Sequence, residues 1–223
     1  MTDLSRDDNA YVRPSPSRGT LGGVARNTSD AIVLCEAAGY DIILVETVGV
    51  GQSETMVADM VDMFTLLVAP GGGDELQGMK KGIVELSDLI LVNKSDGALE
   101  PAARMAQMEY TSALKFLQPS KGDWRPEVLR VSSAEKRGIA EAWETMERFY
   151  EMLHKTDEFS RVREEQRRKW MWDILRHELM DRVTADQGVR ELKEGLEKQV
   201  MEGRVSSGMA AEQLLDAFLK GRK

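Results

Sequence analysis

The chain has almost no cysteine: Cys35 is the only one in 223 residues. A single thiol excludes an internal disulfide framework and fits a reducing compartment. Set in AIVLCEAAG, it reads as a small buried helix residue rather than a reactive thiol. Histidine is nearly as scarce, and both His154 and His177 sit in charged helical stretches, where a solvated ring is a simpler reading than a metal ligand. Apolar runs such as IILV and LILV are short, far from the roughly 20 residues that span a bilayer. The opening MTDLSRDDNAYVRPSPSRG is charged from its third residue and has no apolar centre, so it is not a secretory signal. Basic residues are outnumbered, Lys+Arg 30 against Asp+Glu 38 for a net charge of −8, which argues against nucleic acid as a partner.

What is present is enough for one α/β domain with an appendage, 42% of residues being hydrophobic. Residues 29–38 have helical spacing, and Gly39 closes that helix ahead of a strand-like YDIILVE at 40–46. Three more short apolar strands are expected at 63–69, 88–93 and 127–132. Strands apolar on both faces and alternating with helices predict a parallel sheet covered by helices, an α/β class. Beyond about residue 137 every segment reads as helix. Met171, Leu175 and Leu179 form one stripe, Val189, Leu192, Leu196 and Val200 a second, and Leu214, Leu215, Phe218 and Leu219 a third. Residues 1–155 are therefore expected to form the sheet domain and 156–223 a helical extension, either packed on that domain or serving as a dimerisation arm. The run RVREEQRRK at 161–169 reads as a solvated helix face.

The most specific motif is Asn93-Lys94-Ser95-Asp96, directly after the strand DLILV. A carboxylate at Asp96 can accept from both N1–H and the 2-amino group of guanine, while the Lys94 stem covers the ring and Asn93 braces the loop. Adenine lacks that donor pair, so such a site rejects it by leaving the carboxylate unpaired. Ser132-Ser133-Ala134, just past a later strand, is placed to support the base from the other side. The plain alternative is a strand-to-helix turn rich in Asn, Ser and Asp. A second motif is Glu46 at the tip of IILV, followed by Thr47-Val48-Gly49-Val50-Gly51-Gln52. An acid at that rim is placed to hold magnesium through water, and the glycines permit a mobile loop near a terminal phosphate. Ordinary GTPases carry Asp at the position of Glu46 and a Gln directly after the Gly, whereas Gln52 lies two positions later.

The strings NAYVRPSPSRGTLGGVARNT, ETVGVGQSE, PGGGDELQGMKKG and NKSDG, in that order, together with WMW at 170–172, resemble the methylmalonyl-CoA mutase-associated GTPases. These are homodimeric G proteins of the signal-recognition-particle-like class of P-loop NTPases that escort adenosylcobalamin-dependent mutases. The resemblance implies that Asp7 is a first-switch acid near magnesium and the γ-phosphate, and that Glu46 and Gly49 belong to the Walker B and second-switch motif, with Gln52 as candidate orienter of the attacking water. It implies that Gly71 to Lys81, including Asp74, Glu75, Lys80 and Lys81, is a loop coupling nucleotide state to the mutase. Asn93, Lys94 and Asp96 match the guanine-specificity motif, and Ser133 and Ala134 the supporting loop. Asp74 has an independent reading as the N-cap of a connector helix.

The implied activity is GTP hydrolysis with Mg2+ that gates adenosylcobalamin delivery to methylmalonyl-CoA mutase or a relative, with no cobalamin bound directly. Nothing in the chain matches Asp-x-His-x-x-Gly, by which mutases present a histidine to cobalt. The cobalamin adenosyltransferase is a further implied partner, and the implied location is the cytoplasm, or the mitochondrial matrix in a eukaryote. No G-x-x-x-x-G-K-[ST] occurs in the 223 residues. In the family that P-loop lies upstream of the strings quoted, so the α/β fold is expected to be N-terminally incomplete and GTP binding by these residues alone to be very weak. A non-catalytic module that binds the mutase and dimerises is the alternative from another class. A kinase linked to basic amino-acid transport is a third reading, without a motif to support it.

Overall fold

A computed structural model describes residues 4–14, 21–47, 53–71, 81–116 and 121–220. The described residues divide into two compact units, 1–168 and 169–223. In the first, helices α1 (Leu21–Ala37) and α2 (Ser53–Ala58) precede strand β1 (Thr65–Val68). Then come α3 (Lys81–Glu85), β2 (Leu89–Val92), α4 (Glu100–Leu114), β3 (Glu127–Arg130) and α5 (Ile139–Lys155). Helix α6 (Glu158–Ala185) begins in this unit, and α7 (Gln187–Met201) and α8 (Ser207–Lys220) complete the second.

The three strands make a parallel sheet in the order β1-β2-β3, with Thr65 opposite Leu89 and Leu89 opposite Glu127. This is the α/β architecture expected from the alternating pattern. Each strand is trimmed to four residues because the flanking positions turn into loops. Central β2 is buried at all four positions, as a strand covered on both faces must be. On one face Ile90 and Val92 pack with Val68, Val128 and the α4 residues Ala103, Ala106 and Tyr110. On the other, Leu89 and Leu91 pack with Val131 and Ala142 of α5.

The stretch 40–46 is not a strand. Residues 42–47 have no regular secondary structure, and Ile42 and Leu44 are 56% and 84% exposed. Its apolar residues carry strand propensity, but a strand exists only as a ladder, and no described neighbour supplies one. Helix α1 starts eight residues earlier than the predicted 29, since Gly22 and Gly23 are tolerated within it. It ends as expected at Gly39, whose φ of 89° lies in the left-handed region. Cys35 on this helix is half-buried.

The reading of 161–169 as a solvated face fails at two residues. The Arg163 guanidinium grips Asp62 with two parallel bonds of 2.8 and 2.7 Å and reaches Glu36 at 2.6 Å. It also lies over the Phe159 ring, 4.4 Å from its centroid. Bonding to Asp62 pushes its pKa up further. Gln166, 8% exposed, donates to the Val61 carbonyl at 2.9 Å. The start of α6 is thus clamped to the segment after α2. A charge run reports composition, and only the packed fold decides which arginine meets two carboxylates.

At the N-terminal end of β2 lies a buried ion pair that sequence reasoning missed. Asp88 is 1% exposed and meets the Lys121 ammonium at 2.6 Å. Its carboxylate also accepts the Phe64 N–H at 2.8 Å, and its carbonyl accepts the Trp124 indole N–H at 2.8 Å. Trp124 in turn meets Phe149 edge-on at 5.0 Å. In the second unit α7 and α8 pack on each other, burying Val189, Leu196, Ala210 and Phe218. Met171, Leu175 and Leu179 of α6 stay about half exposed.

Candidate functional site

Parallel α/β sheets present ligand-binding groups beyond the carboxyl ends of their strands. Two loops leave such ends side by side here: 93–96 after β2 and 131–138 after β3. Asn93 continues the ladder by donating its N–H to Val68 O at 2.8 Å. Its Oδ1 accepts from the Lys94 N–H at 2.8 Å and from the Ser133 N–H and hydroxyl at 3.1 and 3.0 Å. One side-chain oxygen therefore ties the two loops together. The bond to its N–H also helps hold Lys94 at φ 58°, a left-handed conformation that a non-glycine residue adopts at a cost of roughly 1 kcal/mol or more. The Lys94 side chain is left exposed above the loop.

Asp96 is half-buried and extended, φ −136° and ψ 165°. Although it stands at the N-cap of the following 3-10 turn, its carboxylate caps nothing. Oδ2 instead accepts the Ser132 hydroxyl, and that hydroxyl oxygen accepts the Glu135 N–H at 3.0 Å. Oδ1 makes no bond to the described residues. A half-buried carboxylate oriented by one donor, with its other oxygen open, is a ready acceptor for a ligand N–H.

The loop after β3 closes through Ser132 and Arg137, which pair N–H to O in both directions at 2.9 and 3.1 Å. Gly138 then turns the chain into α5 at φ 75°, where an added Cβ would stand 2.5 Å from the Arg130 carbonyl oxygen. Backbone cannot yield there. Gly138→Ala is expected to destabilise the chain by about 1 to 3 kcal/mol. Urea unfolding measures it, and a variant as stable as the parent would contradict this close approach.

Of the residues expected from sequence, the fold thus brings together Asn93, Lys94, Asp96, Ser133 and Ala134. Glu46 is exposed at the end of the irregular stretch 42–47. Asp7 follows a 3-10 turn at Leu4–Arg6, and its Oδ1 accepts the Asn9 N–H at 2.9 Å. Among the described residues no group of three or more His, Cys, Asp or Glu is arranged to hold a metal ion. Asp7 and Glu46 are accordingly not members of such a group. Gly49, Gln52, Asp74, Glu75 and Lys80 lie outside the described residues, and Lys81 enters only as the backbone start of α3. Arg137 is the site residue that sequence reasoning missed, and for Ser132, expected only within the supporting segment, the structure adds the bond to Asp96. Both histidines are exposed on helices. A cavity of about 460 Å³ lined by Tyr11, Asp30, Leu34 and Tyr40 contains none of the expected site residues.

The family model described as methylmalonyl-CoA mutase-associated GTPase MeaB matches residues 1–188. The mouse mitochondrial methylmalonic aciduria type A homolog is 51% identical over 218 residues, 98% of this chain and 52% of that protein. The Escherichia coli GTPase ArgK is 44% identical over 187 residues, 84% of this chain and 56% of that protein. A crystal structure described as a LAO/AO transport system kinase superposes with a TM-score of 0.78 at 36% identity, covering 96% of this chain and 67% of that one. The chain spans a little over half the length of these two curated relatives. No described helix is long and apolar enough to cross a membrane.

Proposed function

Because the chain belongs to the methylmalonyl-CoA mutase-associated GTPase family, we propose that its two-loop site binds the guanine base of GTP. The protein then acts as a GTP-hydrolysing chaperone that gates adenosylcobalamin delivery to methylmalonyl-CoA mutase or a close relative. The observation that carries the base reading is the Asp96 carboxylate, turned by Ser132 and open at Oδ1, on a loop that Asn93 ties to Ser133. Guanine offers it two adjacent N–H donors, and adenine does not. Magnesium would accompany the phosphates, with Asp7 and Glu46 the carboxylates facing it; base recognition does not depend on the metal. Residues 71–81 are proposed to pass the nucleotide state to the mutase. The exposed Met171, Leu175 and Leu179 stripe supports a homodimer built on the helical extension 156–223.

Without G-x-x-x-x-G-K-[ST] among these residues, the phosphates lack their backbone cradle and lysine. The 223-residue chain is therefore expected to bind GDP weakly yet prefer it to ADP by about tenfold or more. Calorimetric titration with both nucleotides checks this. Equal affinity for the two bases would sink the guanine reading and favour a nucleotide-independent binding module. Micromolar GTP affinity with turnover would sink the weak-binding part.

A further inference from the structure

Arg137 stands outside every motif quoted above, yet it meets both loops of the base site. Its guanidinium donates through Nη2 to the Ser95 carbonyl oxygen. Its backbone pairs in both directions with Ser132, the residue whose hydroxyl holds Asp96 Oδ2. Glu135 Oε2 lies 3.6 Å from Nη2.

The effect on Asp96 follows from peptide geometry. The Ser95 carbonyl and the Asp96 N–H belong to one rigid plane. Ser95 is already held at its N–H by Val131 O at 3.1 Å and at its hydroxyl by Val92 O at 2.8 Å. The carbonyl is the remaining freedom, and Arg137 removes it. With that plane fixed, the point from which Asp96 departs is fixed, and at its φ of −136° the carboxylate meets the Ser132 hydroxyl.

We propose that Arg137 is a positioning residue for guanine recognition: through Ser95 O and Ser132 it aims the Asp96 carboxylate at the base. This rests on the guanine reading above. It assigns to a residue that never touches the ligand a share of the discrimination between bases with and without a 2-amino group. An arginine that merely stabilised the fold would affect all purines alike.

The test is nuclear magnetic resonance titration of the 15N-labelled full chain with guanosine monophosphate and inosine monophosphate. The two differ only in the 2-amino group that Asp96 would accept from. The parent is expected to prefer guanosine monophosphate. Arg137→Ala should weaken guanosine monophosphate, which loses two bonds to the carboxylate, more than inosine monophosphate, which has only N1–H to lose, so that the preference falls about tenfold, the worth of roughly one hydrogen bond. Arg137→Lys, which keeps a charged donor, should restore part of it. An unchanged ratio in Arg137→Ala, or an equal loss for both nucleotides, overturns the role of Arg137 and leaves the guanine reading standing. A parent that does not discriminate overturns both. If the alanine variant gives an unfolded spectrum, Arg137→Gln is put to the same ratio criterion.

Discussion

Replacing Asp96 by asparagine is expected to cost guanine nucleotides about 2 kcal/mol or more, roughly thirtyfold in affinity, by removing a charge-assisted acceptor pair. The same change should favour xanthine nucleotides, and the structure says why the amide will face the right way. The Ser132 oxygen is occupied as acceptor of the Glu135 N–H, so its proton is free to donate toward residue 96. An asparagine would turn its carbonyl to Ser132 and its NH2 toward the base, opposite the 2-oxo group of xanthine. Paired titrations with guanosine and xanthosine monophosphates measure the exchange. Equal guanosine monophosphate affinity in variant and parent would remove Asp96 from the site.

Asp88→Ala is expected to have the largest effect on stability, about 3 to 5 kcal/mol, because it strips a buried ion pair of one member. Lys121, only 15% exposed, would keep the Asp62 carbonyl but lose its countercharge, and the Phe64 N–H would lose its acceptor. Asp88→Asn should cost less, since its amide oxygen can still accept from Phe64. Urea unfolding followed by the fluorescence of Trp124, whose indole N–H is bonded to Asp88 O, reports the change. A loss below about 1 kcal/mol for the alanine variant would mean that the pair is not desolvated as found.

Burial raises the Asp88 pKa above 3.8, and the Lys121 charge only partly offsets that. A carboxyl raised on folding holds its proton more tightly in the folded chain. Its stabilising contribution is complete below about pH 3.8 and is lost as pH rises through the raised value. Unfolding of the Asp88→Asn variant should lack this component of the pH dependence.

Much of the molecule was determined by local sequence alone. The three strands, the helix closed by Gly39 and the all-helical remainder follow from side-chain periodicity and capping, which act over a few residues. The candidate base loop was legible for the same reason: Asn93 to Asp96 carries its chemistry in four consecutive positions directly after a buried run. What only the tertiary structure decided are pairings between residues far apart in the chain. Lys121 meets Asp88 across 33 positions, Ser132 meets Asp96 across 36, Arg137 meets Ser95 across 42 and Arg163 meets Asp62 across 101. No local pattern encodes such partners, because each depends on which strand ends and helix starts the packed core sets side by side. The same reason explains 40–46, where strand propensity is local but the ladder that makes a strand is supplied from elsewhere in the fold.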